Sequence, residues 1–314
     1  MALPCFLWDN NSNETKDVFV KATILFLGLF SLSSLICARA ERPIWPTMPD
    51  HPSSQEYRYS FSKESYRVER RDVIVYLPVA IDDSNQKNFP VIVYGHGQAL
   101  DFDAYEKSFI HLARKGIAVI FPQYDKGFFD QNWKRMGRDY VNLTANALAR
   151  YSNLDDSEVV FSGHSKGAYI ALMAAGTPKS LVKPKSLLLF TPAGFDESYL
   201  AEMDASIDLS VFWGQGDKII KKELVEEIFE KSPARRKQFI EIASYPDFEP
   251  GHFYPLHKRK IFGGYDGVNA FHFYGVWPWA YGAAKKDGSI FLYGEQASDM
   301  GINNNEHIIT RYGL

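Results

Sequence analysis

Ser165 lies in a pattern that can make its hydroxyl a nucleophile. It is the central residue of Gly-x-Ser-x-Gly, between Gly163 and Gly167, after the apolar run 158–161 and before the small apolar residues 168–175. A strand, this turn and a helix in succession strain the serine backbone and present its hydroxyl outward, while residues without a Cβ atom let strand and helix approach closely. An isolated match is also typical of an ordinary glycine-rich turn, so the flanking strand and helix decide for a nucleophile.

Short apolar runs elsewhere in the chain predict the sheet that would hold this turn. Runs rich in β-branched or aromatic residues predict strands at 90–94, 117–121, 186–190, 209–213 and 238–242. Helical patterns lie at 105–115, 133–151 and 219–231. Upstream, 57–61 and 73–77 predict an antiparallel pair at the sheet edge. This alternation predicts an α/β fold, a doubly wound and mostly parallel sheet with helices on both faces.

The order of these elements around the serine resembles the α/β-hydrolase superfamily over residues 57–281. Within that superfamily the chain is similar to the lidless esterases, which include dienelactone hydrolase-like, chlorophyllase-like and cutinase-like enzymes. Large lids in this fold usually follow the strand after the serine, but here only residues 191–208 separate strands 186–190 and 209–213. The resemblance therefore implies a hydrolase fold without a large lid and a site open from above.

A serine hydroxyl needs a base, and the base needs an acid that orients it. In the fold that the chain resembles, these follow in the order Ser, acid, His. Asp217 follows strand 209–213 through the turn Gly214-Gln215-Gly216, which places its carboxylate at the carboxyl edge of the sheet. We predict that it is the acid. The alternative is that Asp217 only caps a helix beginning near Lys218.

His252 is the predicted base because it follows the last clear strand and its Gly-His-Phe sequence resembles the superfamily's histidine loop. His257 and His272 are rivals. His257 precedes three cationic residues, 258–260, which suits a solvated surface, and His272 stands among aromatic residues, which suits a structural role. His307 is close to a polar tail. Asp247 and Glu249 are alternative acids, although their positions are more typical of loop charges.

Two backbone N–H groups should form an oxyanion hole, one after the nucleophile and one after an early strand. Lys166 and Gln98 occupy these positions, and Gln98 is preceded by His96 and Gly97, which resemble the superfamily's His-Gly element. We expect His96 to hold this loop and not to act as a base. The Lys166 ammonium would lie at the mouth of the site and attract anionic substrates, or else be solvated and incidental.

Composition excludes several classes of function. The 314 residues are 46% hydrophobic and carry a net charge of −3, so they can bury a full core and offer no basic surface for nucleic acid. The sequence contains no Cys or His cluster with metal-ligand spacing and no glycine-rich phosphate loop. We therefore expect chemistry without a metal or cofactor.

The N-terminus resembles an export signal. Lys21 precedes an apolar run, 22–36, and Ala38-Arg39-Ala40 predicts signal-peptidase cleavage before Glu41. The polar leader 1–17 is unusual for a signal peptide, so translation begins near Val18 or the segment stays as a membrane anchor. We predict a periplasmic or secreted protein, with uncleaved anchoring as the alternative.

Cysteine usage agrees with export but does not require it. Cys5 and Cys37 both precede the predicted cut, so a mature chain from Glu41 would contain no cysteine. Residues 41–56 contain Pro43, Pro46, Pro49 and Pro52 and predict an extended leader, followed by a single domain over 57–314. The aromatic-rich stretch 253–281 predicts a wall of the substrate cleft or, more typically, a terminal helix packed on the sheet, and both hold if one edge of the helix faces the pocket.

These features predict a serine hydrolase that cleaves carboxylic esters, small or polymeric, through an acyl-enzyme. A peptidase or an acyltransferase on the same fold is the nearest alternative, because acyl transfer shares the first half-reaction. A binding protein that retains the scaffold without catalysis is the alternative from another class.

Overall fold

The computed structural model describes residues 54–81, 88–125, 130–242, 244, 249–257, 267–269, 271–285 and 309–312. The chain divides into two units, Met1–Glu41 and Arg42–Leu314, and the described residues all belong to the second. The predicted signal or anchor and the Pro-rich stretch up to residue 53 lie outside them. None of the helices in the described part of the chain has the length and apolar content that spanning a bilayer requires.

One mixed sheet organises the described residues. Its strands are β1 (Tyr59–Val68), β2 (Arg71–Ala80), β3 (Phe89–Gly95), β4 (Ala118–Pro122), β5 (Leu154–His164), β6 (Ser186–Phe190), β7 (Asp208–Gly214), β8 (Lys237–Ile242) and β9 (Ile309–Tyr312). Their spatial order is β1-β2-β4-β3-β5-β6-β7-β8-β9. The six strands from β4 to β8 in this order are parallel, whereas β1, β2 and β9 pair antiparallel.

The strands predicted from apolar runs are confirmed. Each starts and ends within a residue or two of its run, except β5, which begins at Leu154. The antiparallel pairing at the edge is also confirmed, but both strands are longer than the predicted 57–61 and 73–77: β1 and β2 pair from Tyr59 opposite Ala80 to Val68 opposite Arg71. The sequence pattern did not predict β9.

Helices cover the sheet. They are α1 (Glu106–Arg114), α2 (Trp133–Arg150), α3 (Lys166–Ala175), α4 (Glu197–Ala201), α5 (Lys222–Lys231) and α6 (Trp277–Ala284). A 3-10 turn, Phe102–Ala104, precedes α1, and a π-helix, Phe271–Val276, runs into α6. The predicted helices 105–115 and 133–151 are confirmed, and Gly176 caps α3 as a helix stop should. α5 begins three residues later than its pattern predicted.

The core has two layers because alternate strand residues face opposite sides of the sheet. Val73 and Val75 of β2 join the layer that packs under α2, α3 and α5. Ile74 and Tyr76 join the other layer, which packs under α1 and α6. The aromatic stretch after residue 270 therefore contributes a helix packed on the sheet, as its more typical interpretation predicted, with Trp277 and Trp279 fully buried.

Candidate active site

Ser165 has the strained backbone that its motif predicted. It stands between the last residue of β5 and the first of α3 with φ 56° and ψ −120°. A non-glycine residue in this region costs on the order of 1–3 kcal/mol and persists only where neighbouring structure fixes it. The amide of Ser165 donates to the carbonyl of Phe190 at 2.9 Å, and its carbonyl accepts from Ala193 at 3.1 Å. Residues at and just after the end of β6 therefore bind both the amide and the carbonyl of Ser165.

Three glycines bring β3, β5 and α3 together beneath this turn. A Cβ atom on Gly163 would overlap the backbone of Gly167, and one on Gly167 would overlap the backbone of Gly95. Neither Gly163 nor Gly167 has a positive φ. These glycines are therefore needed for the close approach of the backbones and not for an unusual backbone conformation.

The predicted acid and the predicted base meet at the carboxyl edge of the sheet. Asp217 follows β7 and His252 follows β8, and both are buried. Nδ1 of His252 donates to Oδ2 of Asp217 at 2.8 Å. This bond fixes the imidazole tautomer with its Nε2 as the atom that can accept a proton.

Asp217 also holds its own turn. Its Oδ1 accepts from the amides of Ile219 and Ile220, both at 2.8 Å. The alternative that Asp217 caps the following helix is wrong, because α5 starts at Lys222 and Lys221 is its cap residue. The three hydrogen bonds leave the carboxylate little freedom to rotate.

His252 contacts the elbow, the strand-to-helix turn 163–167 that carries Ser165, through the side chain of His164. The ring of His164 is 4.9 Å from that of His252, centre to centre, and Nε2 of His164 donates to the carbonyl of His252 at 2.8 Å. Because His164 precedes Ser165 in the chain, this bond joins the predicted nucleophile's turn to the predicted base's loop. The structure thus brings Ser165, Asp217 and His252 to one edge of the sheet.

The predicted oxyanion donors belong to the same edge. Lys166 is the first residue of α3, where N–H groups have no partner within the helix and the helix dipole favours negative charge. In the loop after β3, the amide of Gly97 donates to the hydroxyl of Tyr105 at 3.0 Å. Gln98 follows Gly97 in this loop and stays the predicted donor.

His96 is buried and holds the loop after β3 through its contacts. Its Nδ1 donates to the carbonyl of Gly97 at 3.0 Å, and its ring stacks on Tyr124 at 4.3 Å. The hydroxyl of Tyr124 donates to the carbonyl of His96 at 2.6 Å. Burial lowers the pKa of His96, which keeps the ring neutral near pH 7.

Both interpretations of the Lys166 side chain are corrected by the structure. It is 1% exposed, and its ammonium pairs with the buried carboxylate of Asp125 and donates to the carbonyl of Asp130 at 3.2 Å. The ammonium also lies 5.2 Å from the centre of the Trp133 ring. A charge buried and paired in this way is neither solvated nor displayed to an incoming anion.

The structure places the other candidate bases and acids as follows: the side chains of His257 and His272 are both buried. His257 is 5% exposed, so the expectation of a solvated surface is wrong; its amide donates to the carbonyl of Ala104 at 3.1 Å. His272 is fully buried, with Nδ1 3.0 Å from Oδ1 of Asn269, and burial lowers its pKa to about 3. Glu249 pairs with Lys218 at 3.6 Å, both largely exposed. Asp247 and His307 lie outside the described residues.

A cavity of about 300 Å³ adjoins His252. Its apolar lining consists of Ile219, Phe253, Tyr254, Leu256 and Phe271. The charged side chains of the lining, Lys218 and Glu249, pair with each other. The cavity therefore suits an uncharged group next to the imidazole.

The segment between β6 and β7 carries α4, which the sequence did not predict. The backbone of Tyr199 in α4 lies against Gly176, at the end of α3 away from Ser165. α4 therefore packs on the flank of the elbow helix.

Sequence reasoning missed the side chains that link these loops. Tyr105 and Asp125 both contact residues of the elbow, yet neither lies in a motif, and each is distant from its partner along the chain. The only available signal was the position of Asp125 just after a predicted strand, where parallel sheets place functional side chains.

No protein-family model matches this chain, and no curated protein is significantly similar to it in sequence.

Proposed function

We propose that this protein is a serine hydrolase of the α/β-hydrolase type that cleaves carboxylic esters through an acyl-enzyme. The observation that carries the proposal is the Asp217–His252 hydrogen bond at 2.8 Å, in a loop bonded to the strained turn of Ser165. Nucleophilic acyl transfer needs an oriented imidazole and an activated serine, and here the loop of the oriented imidazole is bonded to the residue that precedes the strained serine.

The sheet supports this assignment. The elbow lies at the carboxyl end of β5, near the centre of the strand order, with the acid and the base after β7 and β8. In open parallel sheets, sites form outside the carboxyl ends of the strands. A doubly wound hydrolase sheet without a large lid accounts for this placement.

Acylation would begin with proton transfer from Ser165 to Nε2 of His252 as the serine oxygen attacks the ester carbonyl. Asp217 would stabilise the imidazolium that forms, because its carboxylate already accepts from Nδ1. The amides of Gln98 and Lys166 would donate to the developing oxyanion. Each such donor is worth roughly 3–4 kcal/mol of transition-state stabilisation.

Collapse of this intermediate would release the alcohol, which takes the proton from His252, and leave an acyl group on Ser165. Water deprotonated by His252 would then hydrolyse the acyl-enzyme by the same steps in reverse order. The cavity beside His252, lined by aromatic and aliphatic side chains together with polar ones, would take an uncharged group of the substrate.

We also propose that the protein is exported, on the basis of the apolar run 22–36 and the Ala-Arg-Ala sequence at 38–40. N-terminal sequencing of the protein produced in its host would test this. A mature N-terminus at Glu41 is the expected result, and retention of Met1 in the membrane fraction would support the anchored alternative.

The catalytic proposal is tested by a fluorophosphonate probe and short p-nitrophenyl esters. The wild-type protein should hydrolyse the esters and carry the probe on Ser165, and Ser165→Ala should abolish both while unfolding at the same temperature. Ser157→Ala is the matched control, because Ser157 is exposed at the opposite end of β5. A folded wild-type protein that never labels would support the non-catalytic binding protein instead.

A further inference from the structure

A chain of three buried hydrogen bonds joins the loop after β3 to the loop after β8. The amide of Gly97 lies 3.0 Å from the hydroxyl of Tyr105, which lies 3.0 Å from Nδ1 of His164. Nε2 of His164 lies 2.8 Å from the carbonyl of His252. The chain thus runs from the predicted oxyanion loop, through the residue before the nucleophile, to the predicted base.

The direction of every bond in this chain is fixed by chemistry. A carbonyl can only accept, so Nε2 of His164 carries a hydrogen and donates to His252. In a neutral ring Nδ1 then accepts, and the hydroxyl of Tyr105 is its donor. The hydroxyl can still accept, and a backbone amide can only donate, so Gly97 completes the chain without conflict.

Burial keeps this arrangement stable near neutral pH. His164 is fully buried, Gly97 is buried, and Tyr105 is 1% exposed. Burial and the nearby His252 imidazole lower the pKa of His164 well below its ordinary value, so the ring stays neutral and keeps Nδ1 as an acceptor. Burial likewise raises the pKa of Tyr105 above its ordinary value, so the hydroxyl keeps its hydrogen.

Gly97 is packed closely against the side chains of this hydrogen-bond chain. A Cβ atom on Gly97 would lie 3.0 Å from Nδ1 of His164 and 3.3 Å from the hydroxyl of Tyr105. The loop backbone therefore rests directly on the two side chains that hold it.

We infer that His164 and Tyr105 are positioning residues, which hold the base loop and the oxyanion loop in register across the nucleophile turn. Neither needs to contact substrate. His164 acts on the base through the His252 carbonyl, and Tyr105 acts on the oxyanion donor through the neighbouring amide of Gly97. The catalytic consequence of this inference rests on the proposed function, whereas the ordering of the two loops does not.

Two isosteric variants of His164 separate its two bonds. His164→Asn can place an amide oxygen near the position of Nδ1, so it keeps the bond from Tyr105 and loses the bond to His252. His164→Gln can place an amide NH₂ near the position of Nε2, so it keeps the bond to His252 and loses the bond from Tyr105. Tyr105→Phe loses the bond to His164 and the partner of the Gly97 amide.

Hydrogen exchange of the two loops is the primary measurement, because it does not depend on activity. We expect His164→Asn to speed exchange in residues 249–257 and to leave 96–100 unchanged. His164→Gln and Tyr105→Phe should show the opposite pattern. Faster exchange in both loops in both His164 variants, or no change in either, would overturn the inference.

Tyr140→Phe is the matched control. Its side chain is fully buried, and its hydroxyl donates to the carbonyl of Val93 in β3 at 2.8 Å, with the carbonyl of Ser162 in β5 at 3.3 Å, so these bonds lie within the sheet and outside both loops. The control should lose stability without changing exchange in either loop.

Ester hydrolysis supplies the second readout. His164→Asn should lower kcat by about tenfold with little change in KM, since it displaces the base and not the substrate. His164→Gln should recover part of this loss. If the wild-type protein hydrolyses no ester but the exchange pattern is as expected, the proposed function fails and the positioning of the loops stands.

Discussion

The carboxylate of Asp217 divides its two oxygens between the imidazole of His252 and the turn that carries Asp217 itself. Oδ2 lies 2.8 Å from Nδ1 of His252, and Oδ1 accepts two backbone amides. The same group therefore orients the predicted base and rigidifies its own loop. These two roles can be separated by substitution, because one needs a carboxylate and the other needs only an acceptor.

Asp217→Asn should keep the fold and lose the activity. Its amide oxygen can still accept from Ile219 and Ile220, but its NH₂ group would face Nδ1 and favour the wrong imidazole tautomer. We expect kcat for ester hydrolysis to fall by about 10⁴-fold, the loss measured for this change in one Ser-His-Asp triad, with an unchanged melting temperature.

Asp217→Ala is the comparison variant. It removes both roles, so it should lose activity and also unfold at a lower temperature than Asp217→Asn. If Asp217→Asn retained wild-type kcat, Asp217 would not be the orienting acid.

Removing one partner of the buried Lys166–Asp125 pair should lower the free energy of unfolding strongly, whereas replacing both partners by apolar residues should change it little. Asp125→Asn leaves the Lys166 ammonium buried without its counter-charge, and removal of one partner of a buried pair typically costs about 3–5 kcal/mol. The double variant Lys166→Met with Asp125→Leu should recover most of this loss, because matched apolar replacements of buried pairs are often neutral. Urea unfolding of the wild type and the variants measures both effects.

The same variants test the corrected position of Lys166. The ratio of kcat/KM for an anionic ester to that for a neutral ester should be the same in the double variant and the wild type, since the ammonium does not face the site. A selective loss of the anionic substrate would show that the charge acts on substrate after all.

The sequence predicts what local patterns encode. Strand positions such as 186–190 follow from short β-branched or apolar runs, and Ser165 follows from a motif whose glycines are needed within five residues. Burial of Lys166 could not be predicted, because its partner Asp125 is 41 positions away and no local pattern marks the pair. The same holds for Tyr105, which looks like any other aromatic residue at the start of an amphipathic helix.

His257 shows the opposite failure of a local pattern. Three neighbouring cations suggested a solvated surface, yet the residue is buried and bonded to the backbone before α1. Side-chain burial depends on how the loop crosses the sheet edge, and the charges of the next residues do not determine that path.

Close packing at the elbow predicts opposite effects for two Gly→Ala changes. Gly163→Ala would drive a methyl group into the backbone of Gly167, so it should lower both stability and kcat. Gly137→Ala is the control: it lies inside α2, and its Cβ would meet only Cβ of Met173, at 3.6 Å. It should stabilise the protein by about 0.5–1 kcal/mol through helix propensity. Equal stability of the two variants would refute the close-approach argument.

Burial of His272 predicts that the protein loses stability in mild acid. Burial, with His257 and Lys107 nearby, lowers its pKa to about 3, whereas an unfolded histidine titrates near 6.5. Between these values the unfolded chain binds a proton that the folded protein does not, so the free energy of unfolding falls as pH is lowered through this window. His272→Gln removes that proton, and the slope of stability against pH should become shallower by up to about 1.4 kcal/mol per pH unit.

Urea unfolding at a series of pH values between about 4 and 8 measures the slope for the wild type and His272→Gln. Tyr140→Phe is again the control, because it removes a buried hydrogen bond but no group that titrates in this range: burial raises the pKa of Tyr140 well above its ordinary value. It should lower stability by a similar amount at every pH. His164 and His96, whose pKa values burial also lowers, remain in the His272→Gln protein, so its acid slope should be reduced and not abolished. Identical slopes in the wild type and His272→Gln would mean that His272 becomes protonated without unfolding, and the buried position assigned to its ring would be wrong.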